Sequence, residues 1–218
     1  KDAGDDPDVT HGLTVAVKVE LGTDPGPVCF LAGEGVGTVT LPGLKVPPGQ
    51  PAINPVPRQM IEHELRTVIG DKAAQVTVSI PGGEAVAKRT FNPRLGIVNG
   101  LSILGTSGIV RPMSREAITE SIALEMSVKR SQGKKALAMA FGSSGEKALC
   151  SAFSLPAGSM VQMSNYVGFA LQQAVELGFH SVLLGGHPGK LVKVAAGIFQ
   201  THSHVADARL ETLCAHAA

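Results

Sequence analysis

Residues 13–21 alternate strictly, with Leu13, Val15, Val17, Val19 and Leu21 on one face and Thr14, Ala16, Lys18 and Glu20 on the other. Period two over nine residues predicts a half-buried strand. From 22 to 57 the chain carries Pro42, Pro47, Pro48, Pro51, Pro55 and Pro57 among several glycines, which forbids a long helix and predicts a structured loop or short edge strands. Between 57 and 69 the period lengthens: Met60, Ile61, Glu64, Leu65, Val68 and Ile69 share one helical face, opened by Pro57 and stopped by Gly70. Val76, Val78 and Ile80 alternate again before Pro81-Gly82-Gly83-Glu84, predicting a strand, a turn and a return strand through Val86.

After Arg94 apolar strand-like runs alternate with helical periods, an order that implies a parallel sheet. Ser114 can cap a helix carrying Ile118, Ile122 and Met126, and Gly133 lies just past its end. Residues 135–141, 159–163 and 181–184 read as strands, and 146–153, 166–177, 190–199 and 205–216 as helices. The expected fold is therefore α/β with an α+β N-terminal half. Residues 1–94 form its β-rich part with Pro/Gly loops, and 95–218 a Rossmann-like parallel sheet flanked by helices, with donor-binding loops.

Composition narrows the function. At 218 residues the chain makes one large domain or two small ones. Lys+Arg number 19 against 18 Asp+Glu, a net charge of +1, so no basic excess argues for a nucleic-acid partner. Seven Phe, one Tyr and no Trp leave little for stacking bases. Cys29, Cys150 and Cys214 are odd in number and far apart, which supports neither a disulfide framework nor a zinc knuckle and fits a reducing cytoplasm. No apolar run approaches the ~20 residues of a membrane span, and with Lys1 in place of an initiator Met the native start is expected upstream.

In an open parallel sheet the strand-to-helix junctions gather at the carboxyl edge, where ligands bind. Here they are Gly142 to Glu146, Ser164-Asn165 and Gly185 to Lys190, with Gly105-Thr106-Ser107-Gly108 as a possible fourth. Helix starts there offer backbone N–H groups to a phosphate or carboxylate. Each alone is an economical turn; several together point to a site. Gly33-Glu34-Gly35-Val36-Gly37 lacks the helix that a nucleotide loop requires, and Gly185 to Lys190 lacks the spacing and Ser/Thr of a P-loop, so an ordinary ATPase is not expected. His180, His187, His202, His204 and His216 cluster late without a Cys or carboxylate to complete a metal set. No protein-bound metal is expected.

Longer strings carry a more specific signal. Lys1-Asp2-Ala3-Gly4-Asp5-Asp6-Pro7-Asp8-Val9-Thr10 resembles a signature of the cobalt-precorrin-5B methyltransferase family, which methylates ring carbon 1 in anaerobic cobalamin biosynthesis. Gly33 to Thr40 with Pro42-Gly43-Leu44, Pro51 to Pro57, Leu104 to Met113, Gly186 to Leu191 and Ala195 to Arg209 resemble successive blocks of the same family, in order, across the chain. Two departures stand out. The family's further N-terminal stretch of Thr-Gly-Thr-Cys type does not occur in this sequence. Gly142-Ser143-Ser144-Gly145 stands where the family tends to show Gly-Asn-x-Gly, so a hydroxyl at Ser143 replaces an amide.

The resemblance implies a cytoplasmic enzyme that transfers a methyl group from S-adenosylmethionine to cobalt-precorrin-5B, giving cobalt-precorrin-6A, with cobalt arriving inside the corrinoid substrate. Glycine-rich helix starts with a nearby acidic residue match the donor's groups, so by residue type and place the donor is expected near Gly105, Thr106, Ser107, Gly108, Gly142, Ser143, Gly145, Glu146, Asn165 and Tyr166, with Glu146 accepting from ribose hydroxyls and Tyr166 packing on adenine. Arg111, Gly185, Gly186, Lys190, Lys193 and Thr201 are the expected contacts to the carboxylate-rich macrocycle. His187, His202, Asp5 and Asp6 are the candidates to handle a ring proton. Two other classes fit the same residues: a noncatalytic tetrapyrrole-binding module, and a dinucleotide-binding α/β enzyme with Gly142 to Glu146 as its phosphate loop. A homodimer is the default assembly for such an enzyme, with neither nucleic acid nor membrane as partner.

Overall fold

A computed structural model gives the fold of residues 1–4, 8–103, 115–156 and 158–217, and the chain divides into two compact units, Lys1–Ser114 and Arg115–Ala218. In the first unit the described strands are β1 (Ala16–Pro25), β2 (Val28–Ala32), β3 (Thr38–Val39), β4 (Lys72–Ser79) and β5 (Ile97–Val98). The main sheet has the order β1-β4-β2, with β1 antiparallel and β2 parallel to β4. Val76 and Val78 of β4 are buried with Phe30 of β2, and helix α1 (Pro55–Ile69) lays Ile61 and Leu65 against them. Removing side chains of this size from water stabilises by roughly 1.5–3 kcal/mol each. Arg58 ties the helix down: its guanidinium lies 5.4 Å over the Phe30 ring and donates to the carbonyls of Ile53 and Pro51 at 2.8 and 3.0 Å.

Three expectations for this half change. The strand begins at Ala16 and runs to Pro25, and every residue in it is exposed rather than half-buried, because no layer among the described residues covers its apolar face. After Ser79 the chain does not return as a strand: Gly82, left-handed at φ 76°, turns it into helix α2 (Gly83–Ala87), whose Ala87 is buried. The division falls near 114, not 94, because β5 pairs antiparallel with β3 and Leu101 and Ile103 bridge to Val36 and Ile53. Residues 97–103 thus complete the first unit.

The second unit follows the expected alternation. Its described elements are helices α3 (Arg115–Ser131), α4 (Ser143–Phe153), α5 (Val167–Glu176), α6 (Pro188–Ala195) and α7 (Arg209–Ala217), and strands β6 (Ala136–Ala140), β7 (Val161–Gln162) and β8 (Ser181–Gly185). The three strands are parallel in the order β7-β6-β8. Leu137 and Met139 point to one face, against Ile122 and Met126 of α3 and Val167, Ala170 and Ala174 of α5. Ala138 and Ala140 point to the other, against Leu149 of α4 and Leu183 of β8. Small residues on the second face let α4 pack close. The fold is mixed α/β, and among the described residues no helix is long and apolar enough to cross a membrane.

Close backbone approach in the first unit gives a stability test. Gly35 has φ 70°, and a Cβ there would lie 1.9 Å from the Ile80 carbonyl oxygen, whereas Gly82, at φ 76°, faces open space. Gly82→Ala is expected to cost about 1–2 kcal/mol from the left-handed backbone alone. Gly35→Ala should cost roughly 3 kcal/mol or more, since overpacking adds to the same conformational term. Denaturant titration of both variants measures the difference; equal losses would mean that Ile80 does not confine position 35.

Candidate active site

The carboxyl end of β8 leads into the site. Gly186 follows the strand at φ 154°, where a Cβ would lie 2.5 Å from Cδ2 of Phe141, so only glycine passes the ring. His187 caps α6, its Nδ1 accepting from the Gly189 N–H at 3.2 Å, and Pro188 opens the first turn. Lys190 and Lys193, three residues apart, then share one helix face. Asn165 comes from the turn after β7, closed by the Tyr166 N–H on the Met163 carbonyl at 3.0 Å with Ser164 left-handed at φ 53°. Thr201 is drawn in beside it by the Tyr166–Gln200 bridge and by its own N–H on the Asn165 carbonyl at 3.0 Å. These residues line a cleft of about 370 Å³ together with His202 and Arg209.

Asn165 Oδ1 is the hub of the cleft. It accepts from the Lys190 ammonium and from the Thr201 hydroxyl, the latter at 3.1 Å, which occupies both of its lone pairs and leaves the amide N–H₂ as donors. The Lys190 Nζ also lies 5.8 Å from the Phe141 ring centroid. Burial lowers the Lys190 pKa from 10.5, and the charge of Lys193 lowers it further. Lys193 itself is only 4% exposed. Its ammonium donates to the carbonyls of Thr201 and Ala206 at 3.3 and 2.8 Å, so this lysine holds backbone rather than standing ready for a substrate carboxylate.

The two histidines expected as bases present a different chemistry. His202 Nδ1 accepts from the His204 N–H at 3.2 Å, and its ring stacks on that of His204 at 5.0 Å between centroids. With Nδ1 an acceptor in both His187 and His202, the neutral tautomer carries its proton on Nε2. In the neutral form each ring therefore has its N–H donor on Nε2. Arg209 enters from the start of α7, bound through Nε and Nη2 to Asp207 at 2.8 and 2.5 Å. Hydrogen bonding and charge in this pair lower the Asp207 pKa and raise that of Arg209.

A second depression, of about 530 Å³, lies along α4 and is lined by Ser143, Glu146 and Lys147 among others. Glu146, in the first turn, accepts from Gln162 Nε2 of β7 at 2.6 Å. Gly145 meets the β8 turn so closely that a Cβ on it would lie 2.9 Å from Gly186 Cα, which brings Gly142, Gly145, Gly185 and Gly186 to one edge of the sheet. Asn165, expected beside the donor, stands instead with Lys190 and Thr201. Tyr166 is half-buried against the core and pairs its backbone with Gln200. Asp5, Asp6, Gly105, Thr106, Ser107, Gly108 and Arg111 lie outside the described residues. Arg209 and Gln162 escaped the sequence reading; the Asp207-x-Arg209 spacing at a helix start was the available signal for the first.

Comparison with known proteins adds lineage. A model of the family CbiD matches residues 1–112. The chain belongs to the CbiD family. It is 55% identical, over its whole length, to a protein of Thermoanaerobacter sp. (strain X514) named cobalt-precorrin-5B C(1)-methyltransferase, and covers 59% of that relative. Proteins of the same name from Desulfitobacterium hafniense (strain Y51) and Photorhabdus laumondii are each 51% identical over the whole chain, which covers 56% and 58% of them. The chain thus spans a little over half the length of these relatives. A solved cobalamin biosynthesis protein (cbiD) from Archaeoglobus fulgidus aligns over 94% of this chain and 63% of its own, at 23% identity and a TM-score of 0.37.

In the part matched by the CbiD model, Asp8 is held by Lys1 and Thr10. Burial opposes ionisation of Asp8, but hydrogen bonds from Lys1 Nζ at 2.5 Å and from the Thr10 N–H and hydroxyl at 2.8 and 2.7 Å outweigh it. They hold its pKa at about 2, against an ordinary 3.8. A depressed carboxylate pKa stabilises the folded loop fully above 3.8 and loses that contribution as pH falls through about 2. The Thr10 amide signal should accordingly titrate with a midpoint near 2, and Lys1→Met should move that midpoint upward; a wild-type midpoint near 4 would show that Lys1 does not hold the carboxylate.

Lys193 supports a second expectation. Lys193→Met keeps the stem and leaves the Thr201 and Ala206 carbonyls without their shared donor, costing roughly 1–3 kcal/mol. Hydrogen exchange should accelerate across 199–207 while the β6–β8 amides stay protected, and uniform protection would remove the lysine as the clamp on this segment.

Proposed function

We propose that this chain binds S-adenosylmethionine and cobalt-precorrin-5B and acts in the methylation of ring carbon 1, yielding cobalt-precorrin-6A and S-adenosylhomocysteine. One observation carries the reading: 55% identity, without a gap in coverage of this chain, to a relative named for that reaction. The order β7-β6-β8 with helices on both faces supports a Rossmann-like arrangement, in which ligands lie outside the strands' carboxyl ends where the strand order reverses. That reversal falls between β6 and β8, the edge shared by both depressions.

The residues after β6 fit the methyl donor. The first N–H groups of α4, at 143–145, have no partner within the helix and suit the carboxylate of the methionine portion. Glu146, steadied by Gln162, suits the ribose hydroxyls. S-adenosylmethionine, when bound, supplies a methyl group on a sulfonium, open to in-line displacement. The protein's task is to hold the ring carbon behind that methyl group, and orientation of this kind is worth up to about 7–11 kcal/mol of barrier without a covalent intermediate.

The cleft beside α6 suits the acceptor. Lys190, Arg209, the Asn165 amide and the two histidine Nε2–H groups are donors gathered on one rim of a nearly neutral protein, which matches a macrocycle bearing many carboxylates. His187 and His202 thereby move from proton acceptors to carboxylate binders. Asp5 and Asp6 remain the carboxylates for the ring proton.

Calorimetric titration with S-adenosylhomocysteine tests the donor site without the corrinoid. Saturable one-site binding is expected, about tenfold weaker in Glu146→Gln, which removes a charge-assisted hydrogen bond. Failure to bind would overturn the proposal, and saturation by NAD in its place would favour the dinucleotide enzyme.

A further inference from the structure

We propose that β1 is a self-pairing edge, through which two copies of this chain join antiparallel to form one continuous sheet across a two-fold axis. The inference is independent of the methyl-transfer reading. β1 stands at the end of the order β1-β4-β2, so among the described residues one of its edges has no partner strand. It is 10 residues long and none of them is buried. Its register pairs Val17, Val19 and Leu21 with Val78, Val76 and Ala74 of β4. Directly opposed residues project to the same face, so the three β1 side chains extend the buried apolar floor of β4 outward. Yet Val17, Val19 and Leu21 are 50%, 39% and 57% exposed, while their three partners on β4 are at most 5% exposed. An open edge carrying an apolar face is a template for another strand.

The order of charges on β1 selects the occupant. On the opposite face from the valines, Lys18 and Glu20 flank Val19, and within one chain they pair at 2.9 Å with side chains 69% and 50% exposed. An antiparallel pairing of two identical strands keeps each face continuous when the two-fold axis passes through a residue. With the axis at Val19, Lys18 of each copy stands opposite Glu20 of the other, Val17 opposite Leu21, and Val19 opposite itself. With the axis one residue to either side, Lys18 opposes Lys18 or Glu20 opposes Glu20, which is repulsive. The segment Val17-Lys18-Val19-Glu20-Leu21 is thus complementary to its own reverse in both apolar contact and charge. Charges that repel with the axis one residue to either side are paired in this register.

Sedimentation of the 218-residue chain over a range of concentrations and salt tests the pairing. Reversible dimerisation that weakens with salt is expected. Lys18→Glu, and separately Glu20→Lys, should each weaken it by about tenfold or more, because two attractive cross-strand pairs become repulsive. The double variant Lys18→Glu/Glu20→Lys restores the pattern and should restore dimerisation, a rescue that loss of fold or of general stability would not produce. Unchanged circular dichroism checks that the exposed substitutions leave each copy folded. A monomer at every concentration overturns the proposal, as does a dimer indifferent to the single reversals.

Discussion

An ammonium taken out of water must find oxygen atoms to replace its hydration, and Lys193 finds them in the carbonyls of Thr201 and Ala206. Those carbonyls lie beyond the end of α6 in sequence, so solvating one cation draws the 199–207 segment back across the helix. Thr201 is then placed to donate to Asn165, and Asn165 Oδ1 in turn receives Lys190. The order of causes matters. The cleft is shaped by a lysine that no ligand needs to touch, and removing that lysine disturbs every donor around Asn165 without removing any of them.

The sheet imposes a complementary constraint. Parallel strands deliver their carboxyl ends to one edge, but two turns can share that edge only if their backbones come close. Gly145 and Gly186 permit this contact, and Phe141 fills the space beside Gly186. The start of α4 and the start of α6 are consequently neighbours, each with a polar side chain in its first turn: Glu146 in one, Lys190 in the other. A helix start that favours anions and carries a carboxylate suits a ligand with both a carboxylate and hydroxyls, whereas one that carries a lysine suits carboxylates alone. The two depressions therefore differ in chemistry.

Much of this was legible in the sequence because it is local. Helical periods bounded by Gly and Pro marked α1 and α3 to α7 within a few residues, and the β6, β7 and β8 runs stood between them. What failed was non-local. Alternation showed that residues 13–21 have an apolar face but not whether anything covers it. Two-residue β5 is a strand only because β3 lies beside it, so the boundary was drawn too early, and Gly83 to Ala87 is too short for its period to declare a helix. At the cleft, junction position identified His187, Lys190 and Asn165, and the family resemblance Thr201, as polar groups in the right neighbourhood. Nothing in sequence distinguishes Lys193 from Lys190, since burial depends on where residues 201–206 return. The histidine tautomers depend on backbone N–H groups two residues away, which spacing alone does not reveal.

The contrast between those two lysines bears on function. Lys190 sits in the first turn of α6, where the helix dipole disfavours a cation. Burial and the nearby charge of Lys193 both lower its pKa, so three separate influences work against its charge at one position. Asn165 offers a neutral oxygen, which offsets part of that cost but cannot neutralise the cation as a carboxylate does. An anionic ligand entering the cleft would relieve all three influences at once, replacing a neutral acceptor by a charged one and screening Lys190 from Lys193. Lys190 is thus held by a neutral oxygen and by the Phe141 ring, 5.8 Å from its Nζ, rather than by a carboxylate. It is the arrangement expected of a residue whose partner arrives from outside.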